Sequence, residues 1–286
     1  MKTSVSSYSF QYWINQGSDN QFTVIQRAKD LGFDAIEFTK LIPHDGSTQA
    51  EYAVKLCKEA QRCGIEISCY SVGADFLGRD TKEEIERLKQ QVDIAVLLGA
   101  NLMRHDTSFA FPEGTRKYQG FTNVLPKFAE GCRAVTEYAA EKGVRTCTEN
   151  HGKFSQDSDR VELLINTVAH ENFGALVDMG NFLCADEDPV NAVGRLAPYA
   201  FNVHVKDFLK KSGNEFDPGD GFFRSRGGAF LRGTVAGHGV VPLAQCVRAL
   251  KDVGYDGYLT LEFEGAERLD FALPAGFECV KRLTQI

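Results

Sequence analysis

The chain has 286 residues, 43% hydrophobic and 25% charged, with a formal charge of −7. That apolar content supports a large core and excludes a disordered chain. The acidic balance argues against a general nucleic-acid binder, whose affinity rests on phosphate neutralisation by Lys and Arg. No apolar run approaches the roughly 20 residues that span a bilayer, and residues 1–7 lack the apolar stretch of a signal peptide. The expected setting is therefore the cytoplasm, without nucleic-acid or membrane partners. The eight cysteines form no CxxC pair. Several fall in apolar periodic segments, so they read as reduced core thiols rather than a disulfide framework.

Taken in chain order, short β-branched or aromatic runs predict strands at 3–9, 35–39, 66–71, 101–106, 145–150, 173–178, 201–207 and 257–263. Helical periodicity fills the intervals. Ile85, Leu88, Val92 and Ala95 recur at helical spacing, as do Leu243, Cys246, Val247, Leu250 and Val253 after Pro242. Helices end at Leu31-Gly32, Cys63-Gly64, Lys142-Gly143 and Val253-Gly254, where Gly accepts the left-handed C′ conformation. Strict alternation implies parallel strands with crossover helices. Eight such units close into a (β/α)₈ TIM barrel, one α/β domain over residues 1–286. The competing open, doubly wound sheet lacks a GxGxxG after its first strand.

One segment breaks the rhythm. Residues 208–240, between the seventh strand and the seventh helix, hold eight Gly, five Lys or Arg and three acids. This reads as a long loop, functional or disordered. Its arginines Arg224, Arg226 and Arg232 either lie over the barrel mouth to hold an anionic group or are simply solvated. Arg232 is retained as a substrate-binding candidate.

In a barrel, the C-terminal strand ends converge on one mouth. Strand five ends Thr148-Glu149-Asn150-His151, strand six Val177-Asp178-Met179-Gly180-Asn181, strand seven contains His204-Val205-Lys206-Asp207, and strand eight Leu261-Glu262-Phe263-Glu264. Alternation puts Glu149, Asp178, His204 and Glu262 on the inner face. Three carboxylates and an imidazole cannot sit together unpaired, because burying isolated charges is costly and like charges repel. A single divalent cation resolves this. The oxygen-rich set suits Mn²⁺ or Mg²⁺ first, with Zn²⁺ and Co²⁺ also admitted.

Glu-Asn-His-Gly at 149–152, Asp-Met-Gly-Asn at 178–181, His-Val-Lys-Asp at 204–207 and Gly-Tyr-Asp-Gly-Tyr-Leu-Thr-Leu-Glu at 254–262 occur in that order. Together they resemble the xylose isomerase-like barrels of the sugar phosphate isomerase/epimerase type, over nearly the whole chain from Gly32 onward. The resemblance implies that Glu149, Asp178, His204 and Glu262 are the metal ligands, with Glu264 as rival to Glu262. It also implies that Glu149 and Glu262 face opposite sides of a bound sugar. Association with a second copy through helices around the rim is compatible with such barrels.

The reaction expected is isomerisation or epimerisation of a small carbohydrate, phosphorylated or not. A proton is removed beside a carbonyl whose oxygens the metal holds, giving an enediolate. One glutamate takes the proton and the other returns it. Lys206 is placed to steady the enediolate, the alternative being a surface lysine paired with Asp207. His151 is a proton shuttle or a structural histidine. His105, ending strand four, is expected to point to the mouth and to serve as base in a lyase. Glu37, ending strand two, is a substrate contact. Asn181 is also placed at the substrate, where ketose epimerases usually carry a His. His238 either caps the mouth or stands by. The principal alternative is a lyase of the inosose dehydratase type on the same scaffold. An endonuclease IV-like phosphodiesterase is disfavoured by Asn181 and by the lack of any Asp-x-His.

Overall fold

The computed structural model describes residues 1–110 and 120–286. Eight parallel strands form the barrel: β1 (Lys2–Ser6), β2 (Ala35–Phe38), β3 (Glu66–Val72), β4 (Leu102–His105), β5 (Arg145–Glu149), β6 (Phe173–Asp178), β7 (Ala200–Val205) and β11 (Tyr258–Leu261). They close in the order β1-β11-β7-β6-β5-β4-β3-β2. The predicted TIM barrel is the fold. Around it run a short α1 (Gln11–Asn15) and then α2 (Thr23–Leu31), α3 (Gln49–Cys63), α4 (Thr81–Leu98), α5 (Phe121–Glu141), α6 (Ser158–Val168), α7 (Pro189–Leu196), α8 (Leu243–Asp252) and α9 (Leu269–Leu283). No helix among the described residues is long and apolar enough to cross a membrane.

Local chemistry sets the helix ends. Thr48 and Glu51 form a reciprocal capping box at the start of α3, satisfying two amides that the helix cannot. Gly32 and Gly64 end α2 and α3 in the left-handed region, open to glycine without strain. The periodic residues Leu88, Val92 and Ala95 of α4 are fully buried, as are Cys246, Val247 and Leu250 of α8. Val253 departs from the pattern: it lies beyond the last turn of α8 and is exposed. All eight cysteines are free thiols.

Two departures matter for the site. The first strand stops at Ser6 and continues as a 3₁₀ turn over Ser7–Phe10. The segment read as a loop is instead a small antiparallel sheet, ordered β8-β10-β9, built from β8 (Asp207–Lys211), β9 (Phe223–Arg224) and β10 (Phe230–Thr234). The Asp207 carboxylate pins its base by accepting the backbone amides of Phe208, Gly237, Gly239 and Val241 at 2.9–3.0 Å. This flap rises from the C-terminal end of β7.

Inside the barrel, Cys69, Leu102, Cys147 and Leu176 pack as a small apolar plug against Phe201. Alternation then carries Arg104, Glu149, Asp178, His204 and Glu262 to the same side, towards the C-terminal mouth. The plug lies beneath this polar layer.

Candidate metal centre

Glu149, Asp178, His204 and Glu262 each offer a ligand atom, and these atoms lie within 4.8 Å of one another. Every member is fixed by its neighbours. Asp178 accepts the backbone amides of Gly180 and Asn181 through Oδ1 at 2.8 and 3.0 Å, which turns Oδ2 to the centre. Asn150 ties β5 to β6 by bonding both the N–H and the C=O of Asp178. The Nε2 of His204 lies 3.0 and 3.1 Å from the two oxygens of Glu37. Its Nδ1 therefore faces Glu262, Asp178 and Glu149 at 3.4, 3.7 and 3.8 Å. Glu149 receives Asn181 Nδ2 at 3.0 Å on one oxygen and Arg104 at 2.9 Å on the other.

The donor set fits a divalent cation. His204 Nδ1 is buried and makes no hydrogen bond among the described residues, and the equally buried Asp178 Oδ2 makes none either and has only the ion pair with Lys206 at 3.2 Å. A buried polar atom left so costs about 1–3 kcal/mol, and coordination would remove that cost. The Glu37–His204 pairing is the carboxylate–imidazole arrangement that fixes the ring tautomer and strengthens a metal-binding nitrogen.

Lys206 is the main counter-charge. It is buried, not a surface lysine, and its ammonium lies 2.6 Å from Glu262 and 3.2 Å from both Asp178 and Glu264. Asp207, its partner in the alternative reading, is occupied by backbone amides. Burial opposes charge on every group here, but the pairings overcome it for most. Asp178 and Glu262 hold the Lys206 pKa well above its ordinary value, and Glu37 and Glu262 do the same for His204. Lys206 and His204 in turn hold Glu262 well below the carboxylate range. Glu149 is the exception: burial raises its pKa despite Arg104.

Two other candidates fall in different places from those expected. His105 faces away from the mouth. Its ring packs edge-on to Phe76 and beside Phe173, with Nδ1 against the Asp106 carbonyl oxygen. The reason is parity, since Arg104 pairs in register with Cys147 and so shares the inner face with Glu149. Arg104 is the member of this polar layer that the sequence reading missed, sitting between Asp106 at 2.6 Å and Glu149 at 2.9 Å. Reading alternation across from Cys147 would have found it. Glu37 is fully buried beneath the quartet, bonded to His204 and to Asn202 Nδ2 at 3.0 Å. Its carboxylate faces the His204 imidazole.

Lys206 and Asn181, which contact the quartet, open onto a cavity of about 540 Å³ between the β5 loop and the flap. His151, Asn181, Lys206 and Glu264 line it. His151 sits 3.1 Å from Asp106, which completes a chain His151–Asp106–Arg104–Glu149. Burial lowers the His151 pKa, but the Asp106 bond outweighs this and raises it. Glu264 lies on the rim beyond Lys206, outside the quartet. Arg232 is absent from the cavity lining: it pairs with Glu267 at 3.7 Å and covers the Phe222 ring. His238 stacks near Phe271 on the exterior.

A closed (β/α)₈ barrel with a carboxylate–imidazole cluster at its C-terminal mouth defines the class. The chain belongs to the xylose isomerase-like TIM barrel family, whose model matches residues 25–283. It is 29% identical over 154 residues to an inosose dehydratase of Clostridium perfringens, covering 51% of this chain and 51% of that protein. The chain thus spans about half the length of the curated relatives it matches. Among solved structures it is similar to a probable 3-DHS dehydratase from Bacillus anthracis, with TM-score 0.73 and 20% identity over 98% of this chain and 99% of that one. It is also similar to D-psicose 3-epimerase from Clostridium cellulolyticum H10, with TM-score 0.75 and 17% identity over 99% of each chain. A barrel of this type from Mycobacterium smegmatis, solved in complex with magnesium, aligns with TM-score 0.70 and 18% identity over 99% of this chain and 95% of that one. An inosose dehydratase is thus among the proteins it is similar to in sequence, and an epimerase and a dehydratase are among the structures that share its fold.

Proposed function

We propose that this protein is a divalent-metal-dependent isomerase or epimerase of a polyhydroxylated carbonyl compound, acting by proton removal at the carbon beside the carbonyl. The observation that carries the reading is the quartet itself: four donors within 4.8 Å, with two of their atoms buried and outside any hydrogen bond among the described residues, next to Lys206 and Asn181, which line a cavity. A cation held by Glu149, Asp178, His204 and Glu262 would supply Lewis acidity, favouring negative charge on a neighbouring substrate oxygen.

The chain's own residues do the rest. Glu149 on β5 and Glu262 beyond β11 are the outer members of four consecutive strands, so they flank whatever lies over His204 and Asp178. One removes the proton and the other returns it from the opposite side, inverting the carbon. Such acid–base help contributes about 10²–10⁴-fold. Lys206 meets the charge that develops on the substrate oxygens, and Asn181 keeps Glu149 and Lys206 in place through bonds of 3.0 and 3.3 Å.

His151 favours a second reading, a dehydratase. It lines the cavity with its Nδ1 side tied to Asp106, placed to give a proton to a departing hydroxyl as the carbon–carbon double bond forms and water leaves. One experiment separates the two. Manganese-loaded protein is incubated with ketoses and inososes in D₂O and followed by proton NMR and ultraviolet absorbance. Deuterium entering beside the carbonyl with a new diastereomer supports the isomerase or epimerase. A rising enone absorbance supports the dehydratase. Near-normal turnover in Glu149→Gln or Glu262→Gln would remove the roles assigned to the glutamates.

A further inference from the structure

The charges around the cavity do not balance. Lys206 is neutralised by three carboxylates, His151 is tied to Asp106, and Arg226 is ion-paired with Asp157. Arg232 is spent on Glu267, away from the lining. Two lining cations remain, Lys153 and Arg224, and neither has a carboxylate partner among the described residues. They come from opposite walls. Lys153 lies in the loop after β5, its backbone amide bonded to the Phe109 carbonyl at 2.7 Å. Arg224 lies in β9 of the flap, with its guanidinium 5.0 Å over the Phe230 ring. Its guanidinium makes no hydrogen bond among the described residues and is exposed. Both cations are exposed, and the lining carboxylate Glu264 is already paired with Lys206. A cavity bordered by two cations without a carboxylate partner among the described residues is complementary to an anion, and a guanidinium fork matches an oxyacid well.

We infer that the mouth selects substrates bearing an anionic oxyacid group remote from the reacting carbons, gripped between Lys153 and Arg224. The group is a carboxylate or a phosphate ester, which share this chemistry. The inference rests on the metal-dependent reading above, because the metal and the polyol hydroxyls fix one end of the molecule while the flap takes the other. It also gives the flap a purpose: β8–β10 carries Arg224 over the mouth.

The test uses three compounds with the same polyol chain: sorbitol, gluconate and sorbitol 6-phosphate. Each is titrated calorimetrically into the full-length protein loaded with manganese. One of the two anions should bind at least about tenfold more tightly than sorbitol, as expected for a charge-assisted contact, and the better one identifies the group. Arg224→Gln and Lys153→Gln should each remove most of that preference, leave sorbitol binding unchanged, and leave manganese stoichiometry intact. Equal affinity for all three, no binding of either anion, or an anion preference that survives Arg224→Gln overturns the inference. Failure of the protein to take up manganese overturns the metal-dependent reading instead, so the two failures are distinguishable.

Discussion

Replacing Glu37 by Gln probes the site from beneath without touching a ligand. Both Glu37 oxygens lie 3.0–3.1 Å from His204 Nε2, and one also accepts Asn202. A carboxylate there favours the tautomer with the proton on Nε2, leaving the Nδ1 lone pair directed at the centre. The amide keeps the volume and one acceptor, but it loses the charge and sets an NH₂ donor against His204 or Asn202. Loss of an outer partner of this kind costs about 10–100-fold in metal affinity, equivalent to about 1.4–2.7 kcal/mol. The assay is competition for manganese against a fluorescent chelator at neutral pH. The thermal midpoint of metal-free Glu37→Gln serves as a control for folding. An unchanged dissociation constant in a folded variant would refute the role assigned to Glu37. A variant altered only in KM would instead restore it as a substrate contact.

Three further outcomes follow from the packing. Lys206→Met leaves Asp178 and Glu262 without their ammonium, so metal-free unfolding free energy should drop by about 3–5 kcal/mol. Saturating manganese should recover much of this in denaturant titrations, and no recovery would contradict the charge balance drawn here. Gly180→Ala places a methyl 2.9 Å from the Lys206 carbonyl oxygen. The crowding should cost about 1–3 kcal/mol and weaken metal binding, and an unchanged denaturation midpoint would show that the two strand ends can separate freely. Glu84, buried beside Arg87 with bonds of 2.8 Å, is held below its ordinary value of 4.5 because Arg87 and the Asp75 amide outweigh burial. A depressed folded pKa stabilises fully above the unfolded value and is lost as pH falls through the folded one. Glu84→Gln should therefore cost about 1–3 kcal/mol at pH 7 and progressively less below pH 4.5, whereas a pH-independent difference would contradict the ion pairing.

The barrel was legible because two periods, 2 for the strands and 3.6 for the helices, alternate along nearly the whole chain. The quartet was legible because four consecutive strands each end in an ionisable residue of inner parity. What failed were features that depend on neighbours across the sheet. His105 and Arg104 are adjacent, and only the pairing of Arg104 with Cys147 decides which one faces inward. Glu37 has the right parity, but its depth below His204 depends on barrel tilt and on the irregularity between Ile36 and Glu37, which no local pattern encodes. The flap was hidden because β9 has two residues and its partners lie in a glycine-rich, polar stretch. The three arginines of that stretch looked alike in sequence, and only their partners distinguish them.

The central claim is that Glu149, Asp178, His204 and Glu262 hold one divalent cation. Crystals of the manganese-loaded protein, measured for anomalous scattering at the manganese edge, test it most directly. The account predicts a single strong peak between the four side chains, lost in His204→Gln. A peak elsewhere in the barrel, or none at full manganese loading, would contradict it.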